Sequence, residues 1–169
     1  MFLLHWNGMN GRPKKLLTLC VVHTGTHVLL GMKKRGFGQG LWNGFGGKVQ
    51  AGEGLREAAL RELREEAGIE ASDLRERGTL LFDIATEPEL LEVHVFSASG
   101  FVGEPIESDE MRPAWFRLTD IPFGTMWADD KYWLPLLLAG KDFQGVFHFL
   151  DNDNLLHHEL KEIGEPALV

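Results

Sequence analysis

A chain of 169 residues, 44% apolar and 25% charged, has the make-up of one globular domain large enough to bury a core. A formal net charge of −8 argues against a general nucleic-acid-binding surface, and no apolar run approaches the roughly 20 residues that span a bilayer. The single cysteine, Cys20, excludes an internal disulfide and a zinc-type cysteine pattern, and fits a reducing compartment.

Residues 1–14 run from apolar through Gly-rich to basic, without the apolar stretch and small-residue cleavage site of a secretory signal. They are read as an N-terminal extension to a domain at 15–163, with a tail at 164–169. Their basic, acid-free character leaves mitochondrial targeting open, and Met9 is an alternative start. Residues 16–22 read as a strand holding Cys20 in the core, 23–26 as a turn and 27–32 as the returning strand. His23 and His27 flank that turn as solvated or capping residues. A Gly-rich, basic loop at 33–40 leads to 42–49, whose glycines suggest a strand with close backbone approach. Residues 54–67 are the clearest helix, with Leu55, Ala58, Ala59, Leu63 and Ala67 in one stripe and Gly68 as the stop.

Strands follow at 78–86 and 91–101, joined through Glu87-Pro88-Glu89, then a short strand at 113–117. A second helix is expected at 129–138 and a closing hairpin at 143–150 and 155–160. Trp42, Trp115 and Trp133 are expected in the core. His157 and His158, adjacent on a strand, point to opposite faces and make a poor metal site. The order predicts an α/β (α+β) domain, a mixed sheet sandwiched between two main helices.

Charge is unevenly spread. Residues 1–52 hold seven of the 17 Lys and Arg and none of the 25 Asp and Glu, which leaves a balance of −15 beyond them. Either a basic and an acidic half meet at an anionic substrate held through a cation, or two solvated faces simply differ.

The acidic half begins with a spaced pattern. Gly47 is followed after five residues by Glu53, and after seven more by Arg61-Glu62-Leu63, then Glu65, Glu66, Gly68 and Ile69. Glu62 and Glu66 stand four apart on the helix and Glu65 lies beside them, so three like charges crowd one face. Either Arg56, Arg61 and Arg64 partner them on a solvated face, or a hard divalent cation gathers their oxygens. Gly44, Gly46 and Gly47 let the backbone approach closely. Every fixed position of G-x5-E-x7-R-E-U-x-E-E-x-G-U is met, with U aliphatic, and on that pattern the chain resembles the Nudix hydrolases.

The resemblance implies a loop–helix–loop in which Gly46 or Gly47 offers a carbonyl and Glu62, Glu65 and Glu66 act as metal ligands or base. Arg61 would brace a glutamate such as Glu53. It also implies Mg²⁺, with Mn²⁺ as a substitute, and attack of water on a diphosphate linked to another group.

Beyond that pattern, GMKKRGFGQGLWNGFGGKVQ, EPELLEVHVF, ESDEMRP and IPFGTMWADDKYWLPLLL are similar to the vertebrate MutT-homologue branch of the family, over residues 16–162. Those enzymes hydrolyse 8-oxo-dGTP, 2-hydroxy-dATP and related nucleotides to the monophosphate and pyrophosphate, sanitising the nucleotide pool; O6-methyl-dGTP is a further candidate. The resemblance places Asn43 on the purine edge, Trp127 stacked on the base, and Asp129 and Asp130 facing its edge. Phe37, Phe82 and Leu91 would form the walls, Thr18 the floor, Lys33 would lie near the phosphates and Glu110 would add a carboxylate to the metal centre. Ile84 and Leu91 stand where the family can carry Phe and Met.

Read alone, Asp129-Asp130 is a helix cap; read as a pair, it shares one proton between two carboxyls and so matches more than one base. The expected partner is a small nucleotide, with no nucleic acid and no membrane, for a cytoplasmic monomer; mitochondrial or nuclear placement stays open. The general base is left open among Glu62, Glu65 and Glu110. A nucleotide-sensing module on a degenerate fold is the alternative outside enzymes, disfavoured by the full set of glutamates.

Overall fold

The computed structural model describes residues 11–164, so the readings on Met9, on the first ten residues and on most of the tail lie outside the described residues. A long first strand organises the rest. Strand β1 (Lys14–His23) lies parallel to β7 (Leu90–Ala98) along its whole length, from Lys14 beside Leu90 to Val22 beside Ala98. Its other side is shared: the end at Val22 and His23 pairs with β2 (His27–Lys33), and the start, Leu17 to Cys20, pairs with β4 (Phe45–Lys48). A two-residue strand, β3 (Trp42–Asn43), runs antiparallel to β2.

Helix α1 (Leu55–Ala67) follows β4 directly. Glu57 accepts the Gly54 N–H at 3.0 Å at its start, and Gly68, at φ +71°, closes it by donating its N–H to the Arg64 carbonyl. A small second sheet pairs β5 (Glu70–Ala71) with β8 (Phe101–Val102). Strand β6 (Arg75–Ile84) joins β7 antiparallel and β10 (Asp142–Phe149) parallel, and β11 (Leu155–Ile163) closes the edge against β10. Strand β9 (Met111–Arg117) pairs with β2, and α2 (Asp130–Leu138) precedes β10.

The main sheet is mixed and separates two apolar layers. Alternate residues of β1 serve opposite faces. Leu19 and Val21 pack into the cluster that holds Trp133, Leu134 and Leu137 of α2, whereas Cys20 and Val22 pack into the one that holds Ala59, Leu63 and Ala67 of α1. The sandwich of two helices around a mixed sheet follows from that alternation. The apolar stripe expected of the first helix is the face α1 buries, apart from Leu55, which packs at the margin.

Several readings are corrected in detail. The expected strand at 42–49 is broken at Gly44, where a Cβ would lie 2.7 Å from the Cys20 carbonyl oxygen. The expected strand at 91–101 ends at Ala98, with Phe101 and Val102 turned to the second sheet. Trp115 is not core: it is 38% exposed, its ring resting on Phe101, because β9 pairs only with β2 among the described residues and stands at an edge of the sheet.

Candidate functional site

One cleft of about 680 Å³ opens between β1, β4, the 33–41 loop, the β6–β7 hairpin and the start of α2. It carries Thr18, Lys33, Phe37, Asn43, Gly46, Gly47, Glu66, Phe82, Leu91, Glu110, Trp127, Asp129 and Asp130, every residue expected to touch base, phosphate or metal apart from Glu62 and Glu65. The two halves of the charge distribution meet in it. Its cations are Lys15, Lys33, Arg35 and Lys48, and its acids are Glu66, Glu87, Glu110, Asp129 and Asp130.

At one end the glycines of β4 face α1. A Cβ on Gly46 would lie 1.9 Å from the Thr18 carbonyl oxygen, and one on Gly47 would lie 2.6 Å from Glu62 Oε1. Only bare backbone fits between β1 and the helix there. The Gly46 N–H donates to Glu66 Oε1 at 2.7 Å. Glu66 is 2% exposed, and burial pushes its carboxyl up to about 7, against the pull of the Gly46 N–H and of Lys33, with Glu62 and Glu110 pushing the same way as burial. A carboxylate so placed is in need of a cation.

Arg61 organises the outer carboxylates. Its Nε and Nη2 donate to the two Glu53 oxygens at 2.6 and 3.0 Å, its Nη1 to Glu62 at 2.7 Å and Glu65 at 3.3 Å, and its Nη2 also reaches the Lys48 carbonyl. The planar fork spends itself on holding Glu53 and Glu62 in register. Glu62 is 13% exposed at the side chain and Glu65 58%. Across the cleft, Lys33 Nζ lies 3.9 Å from Glu66 and 3.6 Å from Glu110, and Arg35 lies 3.5 Å from Glu110.

Among the described residues, no three His, Cys, Asp or Glu side chains converge as a metal cage. Glu62 and Glu65 are drawn to Arg61, and Glu66 and Glu110 are spaced by Lys33. The donors nevertheless suit a hard divalent cation: carboxylate and main-chain oxygens, no thiolate, and a floor that only glycine allows.

The other end of the cleft is apolar with a buried acid pair. Trp127 stacks on Phe37, their centroids 4.9 Å apart at 27°. Gly38, at φ +81°, brings the loop so near that a Cβ would lie 3.2 Å from the Trp127 ring. Phe82 is braced by Phe147 at 5.7 Å. Asn43 Oδ1 accepts the Gly44 N–H at 2.8 Å, which leaves Nδ2 as the amide's free donor. Asp129 and Asp130 are buried, and Asp129 Oδ2 accepts the Trp133 indole N–H at 2.8 Å. Burial lifts the Asp129 carboxyl to about 6 and, with Asp129 as a charged neighbour, holds Asp130 well above the usual carboxylate range. Asp130 Oδ2 and Thr18 Oγ1 are buried polar atoms without a hydrogen-bond partner among the described residues. Asp129 does occupy the N-cap position of α2 and Asp130 its first turn, as the cap reading expects, but no side-chain cap bond accompanies Asp129 there.

The sequence assigns no role to Lys15 or Lys48 and shows Arg35 only as part of the basic loop at 33–40; the acid-free stretch 1–52 is the signal that carries all three. The histidines read as poor ligands serve packing: His158 rests 4.1 Å from Tyr132 and 5.4 Å from Phe147.

With this geometry in view, the NUDIX domain model matches residues 14–137. The oxidized purine nucleoside triphosphate hydrolase of Danio rerio is 54% identical over 149 residues, covering 88% of this chain and 96% of that protein. The protein of the same name from Mus musculus is 52% identical over the same shares. A crystal structure of a MutT mutator protein from Bacillus halodurans superposes with a TM-score of 0.77 at 29% identity, covering 86% of this chain and 97% of that one.

Proposed function

The chain belongs to the NUDIX family, whose hydrolases use divalent metal cations, and on that footing we propose that it hydrolyses oxidised purine nucleoside triphosphates to the monophosphate and pyrophosphate with Mg²⁺. The observation that carries this is the joining, in one cleft of about 680 Å³, of a carboxylate-and-glycine end with an aromatic end that buries an acid pair. The first end suits a cation and phosphates, the second a purine whose edge carries both donors and acceptors. The identity to the fish and mouse enzymes supports the same substrate class.

Glu62, Glu65, Glu66 and Glu110, with the carbonyl of Gly46 or Gly47, would hold the cation. When bound, a divalent cation polarises phosphoryl oxygens, neutralises their developing charge and acidifies coordinated water, which is also how Mn²⁺ would substitute. Arg61 keeps Glu53 and Glu62 in place. Lys33 and Arg35 stand beside Glu110 at the rim and supply positive charge to the phosphates. Trp127 offers a ring face to the base and Asn43 Nδ2 a donor to its edge.

The acid pair supplies the discrimination. Oxidation of guanine at C8 places a proton on N7 and turns an acceptor into a donor. Two buried carboxyls sharing one proton present one acceptor and one donor, and the proton can sit on either. A site that pairs buried polar groups with one edge rejects the edge that leaves them unpaired.

The test is steady-state hydrolysis of 8-oxo-dGTP against dGTP with Mg²⁺, detecting pyrophosphate. A preference in kcat/KM of about tenfold or more, some 1.4 kcal/mol of transition-state discrimination, is expected. Equal rates, or none, would overturn the base assignment and point to other nucleoside diphosphate derivatives.

A further inference from the structure

Lys33, one of four cations in the cleft, faces carboxylates as well as the place proposed for the phosphates. Lys33 Nζ stands between Glu66 Oε2 at 3.9 Å and Glu110 Oε2 at 3.6 Å. Both separations exceed the roughly 2.7–2.9 Å of a committed charge-assisted hydrogen bond. The ammonium neutralises the two carboxylates without being locked to either.

The surroundings separate a fixed frame from a movable charge. Glu66 is pinned at Oε1 by the Gly46 N–H, so Oε2 is the oxygen turned to Lys33. The Lys33 backbone is fixed on both sides, its N–H to the Leu41 carbonyl at 3.0 Å and its carbonyl to the Gly40 N–H at 2.9 Å. The Glu110 carbonyl accepts the Lys34 N–H at 2.8 Å, so its main chain is held while its carboxylate is 46% exposed. What can move is the lysine stem and the Glu110 side chain.

We propose that Lys33 is the resident counter-ion of the Glu66 and Glu110 carboxylates and is exchanged for the divalent cation when the site loads, which turns its ammonium to the substrate's phosphates. The proposal rests on the reading that these carboxylates hold the metal. Mg²⁺ takes oxygen ligands at about 2.0–2.1 Å, far inside the spacing the ammonium maintains, so the two cations cannot occupy the position together. With no counter-ion, the buried Glu66 carboxylate would keep the Gly46 N–H as a neutral donor and have no cation beside it, which is costly. Lys33 relieves that cost in the metal-free protein, and its displacement prepares the phosphate site. Metal and triphosphate binding are then coupled, each favouring the other.

The experiment measures Mn²⁺ binding to the nucleotide-free full-length protein from the paramagnetic resonance signal of free Mn²⁺. Lys33→Gln and Lys33→Met remove the competing charge and should bind Mn²⁺ about fivefold more tightly than the wild type, whereas Lys33→Arg keeps the charge and should not. The two neutral variants should melt lower without metal and recover at saturating Mn²⁺, which also confirms that they fold. If Glu66→Gln loses Mn²⁺ binding but neither neutral variant binds more tightly, the counter-ion role is overturned and the metal site stands. If Glu66→Gln binds Mn²⁺ as the wild type does, the metal reading itself falls and takes the counter-ion role with it.

Discussion

Asp129 and Asp130 stand side by side in the cleft, both nearly inaccessible, with Asp129 tied to the Trp133 indole and Asp130 Oδ2 tied to nothing among the described residues. Both carboxyls are raised in the folded protein, Asp129 to about 6. A carboxyl whose folded value lies above its unfolded value of about 3.9 takes up protons on folding. Its contribution is therefore whole at acid pH and is lost as pH rises towards the folded value. Asp130→Asn removes one of the two titrations. It should change Tm little at about pH 3.5, below the unfolded value, and raise it at pH 8, by about 1–3 kcal/mol of stability. Thermal melts of both proteins at the two pH values check this; parallel pH dependences would contradict it. The same variant should narrow the kcat/KM preference for 8-oxo-dGTP over dGTP, since the fixed amide cannot carry a movable proton.

The two glycines of β4 should fail in different ways. The Cβ of Gly46→Ala meets main chain, the Thr18 carbonyl at 1.9 Å, and β1 cannot yield without disturbing its pairing with β7. A loss of about 3 kcal/mol is expected, and a Tm lower by some 6–12 °C. The Cβ of Gly47→Ala meets the end of the Glu62 side chain at 2.6 Å, which can swing away. Stability should change by less than about 1 kcal/mol while kcat falls about 10–100-fold, because the carboxylate no longer sits where Arg61 holds it. Melting and steady-state kinetics on the two variants separate the cases, and equal loss of stability in both would refute the distinction.

Arg61 reaches Glu53, Glu62, Glu65 and the Lys48 carbonyl with one guanidinium, and lysine cannot copy that geometry. Arg61→Lys should lower kcat about 10–100-fold with little change in KM, and should weaken Mn²⁺ binding to the nucleotide-free protein. Near-wild-type kcat in Arg61→Lys would show that charge alone suffices.

What could be read from the chain depended on how local the cause was. Glu53, Arg61, Glu62, Glu65 and Glu66 lie within fourteen positions, and helical spacing together with one long side chain brings them together. The stripe that α1 buries has the same origin. The parallel pairing of β1 with β7, about 75 positions apart, has no short-range signature, yet it is what places Leu91 and Val93 in the same cleft as Leu17 and Leu19. Strands of two residues such as β5 and β8 carry no periodicity at all. Trp115 misled because a large aromatic in an apolar run looks like core, whereas exposure depends on whether its strand lies at an edge of the sheet. Lys15 and Lys48 were visible only as part of a charge imbalance, and Arg35 only as part of a basic loop: nothing nearby in sequence tells a cleft cation from a solvated one.

The aromatic end should be separable from the phosphate end. Trp127 is stacked by Phe37 on the one loop whose glycines sit at positive φ at 36, 38 and 40. Stacking of a base on an aromatic ring contributes about 1–3 kcal/mol, so Trp127→Ala should lower kcat/KM for 8-oxo-dGTP by roughly 5–150-fold. Phe37 is 54% exposed and stands at the mouth, and Phe37→Ala should cost only about threefold. Inorganic tripolyphosphate, which has no base, serves as the control. Its inhibition constant should be unchanged by Trp127→Ala and weakened by Lys33→Gln. If Trp127→Ala weakened tripolyphosphate as much as it weakened substrate, the ring would be holding the cleft's shape rather than the purine. Because Gly38 packs against the same ring within 3.2 Å of a would-be Cβ, that outcome would also make Gly38→Ala a mimic of Trp127→Ala for both ligands.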